Sequence, residues 1–126
     1  MNYQYIGKST PVNNSRAKAS GLLRYAGDMK LPNMLHMKLV LSPVAHGIVK
    51  AIDSSAALAM PGVAAVLSFE NTVDTKYNRG RVRISEDVMD QETLFSRHVR
   101  FVGDRVAAVL ADSPEIAAAA AEAVHI

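Results

Sequence analysis

LHMKLVLSPVAHGIVKAIDSSAALAMPGVAAVLSF, from Leu35 to Phe69, is the stretch that decides the fold. Met37 to Leu41 is a short apolar run carrying one lysine, and its length suits a strand. Ser42-Pro43 stops it, because proline has no N–H to give a ladder. After Gly47 the extended pattern resumes over Ile48 to Ile52. Asp53, Ser54 and Ser55 offer oxygens to the first free N–H groups of a helix. Ala56 to Met60 are good helix formers. Pro61-Gly62 ends that helix, since glycine tolerates the left-handed backbone an exit often uses. Val63 to Leu67 is continuously apolar, the pattern of a strand covered on both faces. The order is strand, break, strand, short helix, strand.

A second strong element is VRFVGDRVAAVLA, Val99 to Ala111. Gly103-Asp104 predicts a tight turn or a bulge, and Val106 to Ala111 reads as a central strand. Ser113 is then an N-cap, Pro114 takes the favoured first helical position, and Glu115 faces the positive helix end. The alanine-rich run to Ala123 predicts a helix, with Ile116, Ala120 and Val124 as an apolar stripe that lets it lie close on a sheet. On the N-terminal side, Met1 to Asn33 reads as an entry arm. Asn13-Asn14 suits a turn, and Leu22, Leu23 and Tyr25 form a candidate strand closed by Gly27-Asp28. Between the two strong elements, Glu70 to Glu92 is polar and weakly patterned, and a loop that long within a compact domain is usually functional or partly disordered. Arg81 to Ile84 alternates and predicts a brief edge strand.

Composition sets the bounds. With 126 residues the chain suffices for one domain and one core, residues 1–126. A net charge of +2 with few aromatics argues against nucleic-acid binding. No apolar run reaches the length of a membrane helix, and no signal-like apolar segment opens the chain, so a cytoplasmic location is expected. There is no cysteine, which excludes disulfides, thiolate zinc, iron–sulfur ligation and a thiol nucleophile here.

The chemistry-bearing residues form few convincing sets. Ser42, His46 and Asp53 superficially resemble a nucleophile–base–orienter series. Ser42 sits on no sharp elbow, and the better reading gives Ser42 and Asp53 turn and cap hydrogen bonds, with His46 in a bend bonded to backbone. His36, His46, His98 and His125 have no helical i, i+4 pairing, so surface or satisfied histidines are expected rather than ligands. Glu86, Asp87, Asp90 and Glu92 lack the glycine-punctuated spacing of a calcium loop. Arg79, Arg81 and Arg83 read as a solvated stripe more readily than a phosphate grip. No nucleotide-binding glycine motif occurs. No catalytic, metal or cofactor-binding residue is therefore assigned.

Ser42, Pro43, Ala45, His46, Ile48, Ile52, Asp53 and Pro61-Gly62-Val63, taken together, carry a family resemblance. They are similar to the α/β hammerhead domain that opens the molybdenum-binding large subunit of the xanthine dehydrogenase and aldehyde oxidase family. Gly7, Lys8, Lys18, Gly21, Tyr25, Asp28, Pro32 and Leu35 match its earlier words, and Val102, Gly103, Val106, Ala107, Ala108 and Val109 a later one. Departures are Gly47, the Val12 to Arg16 turn, and Asp104-Arg105, where the family often has glutamine and proline.

The resemblance implies an α+β hammerhead: a mixed β-sheet with a long alanine-rich C-terminal helix, a short helix near 54–60, and strands extending into an arm. It implies a fragment of a longer molybdenum hydroxylase subunit, inactive on its own. Molybdenum–molybdopterin would then lie in the parent enzyme, with 2Fe-2S clusters and usually FAD in partner domains or subunits. The expected role is to brace the other molybdenum domains and shape the substrate entrance. Val88 and Met89, just before Gln91 to Phe95, are the implied funnel-lining candidates, although pinning the loop to the core is a competing role for them. Neither nucleic acid nor membrane is an expected partner; self-association through bared apolar patches is. The competing reading is a free-standing interaction module of the same fold.

Overall fold

The computed structural model describes residues 3–9, 11–77 and 92–126. The chain divides into two compact units, Met1–Pro32 and Asn33–Ile126.

In the first unit, helix α1 spans Ser15–Ala19. The Ser15 hydroxyl donates to the Val12 carbonyl at 2.9 Å. Gly21 has φ +71°, and the N–H groups of Leu22 and Leu23 both donate back to the Ala17 carbonyl at 2.9 and 3.0 Å. Those bonds correct the expectation of a strand over Leu22 to Tyr25. The donors a strand would need are spent closing α1, in the manner of a left-handed helix exit. A 3-10 turn follows at Ala26–Asp28, where the Asp28 carboxylate accepts the Tyr25 N–H at 2.9 Å.

The second unit holds strands β1 (His36–Leu41), β2 (Gly47–Ile48), β3 (Val63–Ser68), β4 (His98–Val99) and β5 (Arg105–Ala111) with helices α2 (Ser55–Leu58) and α3 (Pro114–Glu122). One sheet has the order β1-β5-β3, and β2 pairs with β4 in a separate ribbon. The α+β class is as expected. The sheet expected to be mixed is antiparallel in both of its described ladders. The C-terminal helix is nine residues long. It is capped as predicted, with the Ser113 hydroxyl accepting the Ile116 N–H at 3.2 Å.

β5 is central, as its continuous apolar run predicted. Ala107 and Val109 face the cluster of Val40, Ala57, Val66, Ala120 and Val124 beneath α2 and α3. Val106 faces the other way, onto Val49 and Val99 of the ribbon side. The alternation of a strand thus feeds two cores from one segment. A bulge intervenes between Val40 and Leu41, which pair with Ala107 and Arg105 and skip Val106. The Gly103-Asp104 turn precedes it, with Gly103 at φ +88°. The Val63 to Leu67 run is not covered on both faces as expected. Among the described residues it lies at an edge of the sheet, and Ala64 is exposed.

Candidate functional site

Two chain positions far apart in sequence meet at Tyr77 and Glu92. They form an antiparallel bridge, with N–H···O distances of 2.8 and 3.1 Å. Arg105, at the start of β5, locks the pair. Its Nη2 donates to the Tyr77 hydroxyl at 2.7 Å and to Glu92 Oε2 at 3.3 Å, while its guanidinium carbon lies 5.9 Å from the Tyr77 ring centroid. A single guanidinium nitrogen thus holds both partners. Side-chain exposures of 24% for Arg105 and 31% for Glu92 make the ion pair a partly screened one, of about 1 kcal/mol or less.

The segment after the bridge is anchored as well. Thr93 Oγ1 donates to the Phe95 carbonyl at 2.9 Å, Phe95 is buried, and the Ser96 N–H donates to the Arg105 carbonyl at 3.0 Å. The buried Asp104 carboxylate accepts the N–H groups of Arg100 and Arg105, at 3.1 and 2.9 Å. Asp104 and Arg105 are among the departures from the family pattern, and both are structural pins at this neck. The apolar pattern of β5 starts one residue later, so periodicity alone does not reveal them. The available signal is a charged pair set directly before an apolar strand.

The funnel candidates Val88 and Met89 lie outside the described residues, as do Arg79, Arg81, Arg83, Glu86, Asp87, Asp90 and the expected edge strand Arg81 to Ile84.

Ser42, His46 and Asp53 each have their own partners. Ser42 Oγ donates to the Val44 carbonyl at 2.9 Å and accepts the Val44 N–H at 3.1 Å. Asp53 Oδ1 accepts from the Ser55 hydroxyl at 2.6 Å and the Ser55 N–H at 3.0 Å. The Ser55 hydroxyl bond, then the Ser55 N–H and the charge of His125, hold the Asp53 carboxyl below its ordinary range. These are the turn and cap roles read from sequence. His46 departs from expectation: its Nε2 lies 2.9 Å from Nε2 of His98. The two rings meet edge to face with centroids 4.8 Å apart.

The donor set does not fit a molybdenum or iron–sulfur centre. The chain has no cysteine, and among the described residues no three His, Asp or Glu side chains converge. No step of a redox reaction is assigned to these residues. Among the described residues, no helix is long and apolar enough to cross a membrane.

Comparison with known proteins gives the context. The family described as aldehyde oxidase and xanthine dehydrogenase, a/b hammerhead domain, matches residues 20–126. The carbon monoxide dehydrogenase large chain of Hydrogenophaga pseudoflava is 44% identical over 102 residues, 81% of this chain and 12% of that protein. The aldehyde oxidoreductase of Megalodesulfovibrio gigas is 35% identical over 126 residues, 95% of this chain and 14% of its own. Among solved structures, quinoline 2-oxidoreductase from Pseudomonas putida 86 aligns with a TM-score of 0.82 and 31% identity, covering 94% of this chain and 15% of that one. The chain thus spans a small fraction of the relatives it matches.

Proposed function

The chain belongs to the aldehyde oxidase and xanthine dehydrogenase a/b hammerhead family, and from that premise we propose that it is the scaffold domain, residues 1–126, of a longer cytoplasmic molybdopterin-dependent hydroxylase. In that enzyme the cofactor carries the hydroxylation chemistry, and the protein's part is binding and positioning. The domains that hold molybdenum–molybdopterin, and partner domains or subunits with 2Fe-2S clusters and FAD, are its companions. The isolated chain is inactive in this reading.

The observation that carries the reading is the neck. Tyr77 and Glu92, which flank residues 78–91 in sequence, are held together by their bridge and by Arg105. Such a tie beside the stretch of sequence that contains Val88 and Met89 supports the entrance role proposed for those two residues. The bracing role is supported by apolar surface. A groove of about 410 Å³ is lined by Pro43, Val44, Ile48, Val49, Val99 and Ile126 among others, and nearby Val102 is 65% exposed. Exposed apolar surface of this kind suits contact with further protein.

The test is kinetic and uses the complete enzyme. Val88→Ala and Met89→Ala are expected to raise the apparent KM several-fold while molybdenum content stays unchanged. Unaltered kinetics in both variants would remove the entrance role and leave these side chains as packing.

A further inference from the structure

The imidazoles of His46 and His98 come from positions 52 residues apart, and the neck uses neither. The ribbon explains how they meet. Ile48 pairs directly with His98, and Gly47 with Val99. His46 lies two residues before Ile48, so it shares a face with His98 as its diagonal cross-strand neighbour, within reach of a long side chain. Both side chains are exposed.

We infer that His46 and His98 form a two-imidazole chelate for a borderline divalent transition-metal ion, copper(II) foremost. The distance is the first argument. Metal–imidazole bonds are about 2.0–2.1 Å, and two such bonds at a right angle set their nitrogens roughly 2.9 Å apart. The observed Nε2–Nε2 separation is 2.9 Å. A right-angled bite belongs to the tetragonal geometry of copper(II) or nickel(II) more than to tetrahedral zinc. Copper(II) is also the strongest binder of the divalent series for such ligands.

Ring orientation is the second argument. Without metal, one neutral ring donates its Nε2–H to the other. The terminal ring torsion of histidine is broad, so a modest swing of the near-perpendicular rings, 86° between planes, turns the two lone pairs toward one point. Exposure leaves the remaining coordination positions to water. The nearest arginine in sequence, Arg97, is occupied elsewhere. Its Nε donates to the Val49 carbonyl at 3.2 Å, and its guanidinium lies 5.9 Å from the Phe69 ring centroid. A bound ion clips β2 to β4 and so ties the ribbon shut.

The test is calorimetric titration of the untagged 126-residue chain with copper(II) chloride. One equivalent is expected at this pair. His46→Ala and His98→Ala each forfeit the intramolecular advantage of the second ligand, a loss on the order of a hundredfold in affinity. His36→Ala and His125→Ala leave that equivalent intact. Far-UV circular dichroism checks that the variants fold. In the unaltered chain, electron paramagnetic resonance is expected to show two coordinated imidazole nitrogens. No bound equivalent, a His98→Ala chain that binds as tightly as the original, or a spectrum with fewer than two imidazoles overturns the assignment.

Discussion

Val63 to Leu67 and Val106 to Leu110 spell the same five residues, VAAVL, and the fold treats them differently. In β5 the first four positions are all buried. In β3 only Val66 of the five is buried, and Ala64 is exposed. The two copies pair with each other, Val66 directly opposite Val109. Among the described residues only β5 has a strand on each side, because β1 pairs along its other edge. Identical chemistry thus yields a centre and an edge, and the difference is made by β1, not by the pentapeptide. The edge is also blunted. Val63 pairs with Ala111 and Ala65 with Leu110, so Ala64 is an extra residue bulged out of the ladder, a common protection against unwanted strand pairing.

Substitutions at matched positions test the difference between the two copies. Ala107→Lys places an unpaired charge at a fully buried site of β5 and is expected to cost at least about 4 kcal/mol, enough to unfold a marginal domain. Ala64→Lys, in the second position of the twin sequence, is expected to stay within about 0.5 kcal/mol. Urea midpoints of the two variants decide it, and comparable losses would mean that the two runs are equally buried. Val109→Ala is expected to cost about 2–3 kcal/mol and Val66→Ala less, because Val66 sits at the sheet's edge strand where collapse is easier.

A smaller effect tests the turn that leads into β3. Gly62 has φ +86°, and a Cβ there would sit 2.8 Å from Ile116 Cδ1. The side-chain tip can move, so the cost of Gly62→Ala is chiefly the left-handed backbone, about 1–2 kcal/mol. Its thermal midpoint should fall accordingly. At the neck, Tyr77→Phe removes the hydroxyl that Arg105 Nη2 reaches and is expected to cost about 0.5–1.5 kcal/mol. The urea midpoint of the variant checks it.

The smallest effect lies in acid. Asp53 is held below its ordinary range chiefly by the Ser55 hydroxyl, and Glu115 chiefly by its own backbone N–H and then the Ser113 side chain. For groups with lowered folded-state values, the stabilisation is present above the unfolded-state carboxylate pKa. It is lost as pH falls through the folded value. Both groups are exposed, so Asp53→Asn with Glu115→Gln should only flatten the acid limb of stability slightly, with neutral stability little changed. A double variant whose acid limb is as steep as that of the original chain would remove these two carboxylates from the account.

What is legible in the sequence follows from range. Caps, breaks and short apolar runs are local, so β1, β5, the Ser113–Pro114 helix start and the Pro61-Gly62 exit can be read directly. The family words are legible too, and the match over residues 20–126 bears out that resemblance. Edge and centre are not separable, because VAAVL carries no record of its neighbours. The expected Leu22–Tyr25 strand fails because the helix exit at Gly21 claims the backbone donors of Leu22 and Leu23. The neck and the histidine pair depend on contacts such as Arg105 with Tyr77 and His46 with His98. Neither leaves a spacing in one sequence to find.

We propose this chain as the hammerhead scaffold of a molybdenum hydroxylase. The molybdenum content of the protein from the complete reading frame, purified with whatever accompanies it, tests that most directly. Near-stoichiometric molybdenum with pterin is the expected result. No metal, in a host able to make the cofactor, would contradict it and favour a free-standing interaction module.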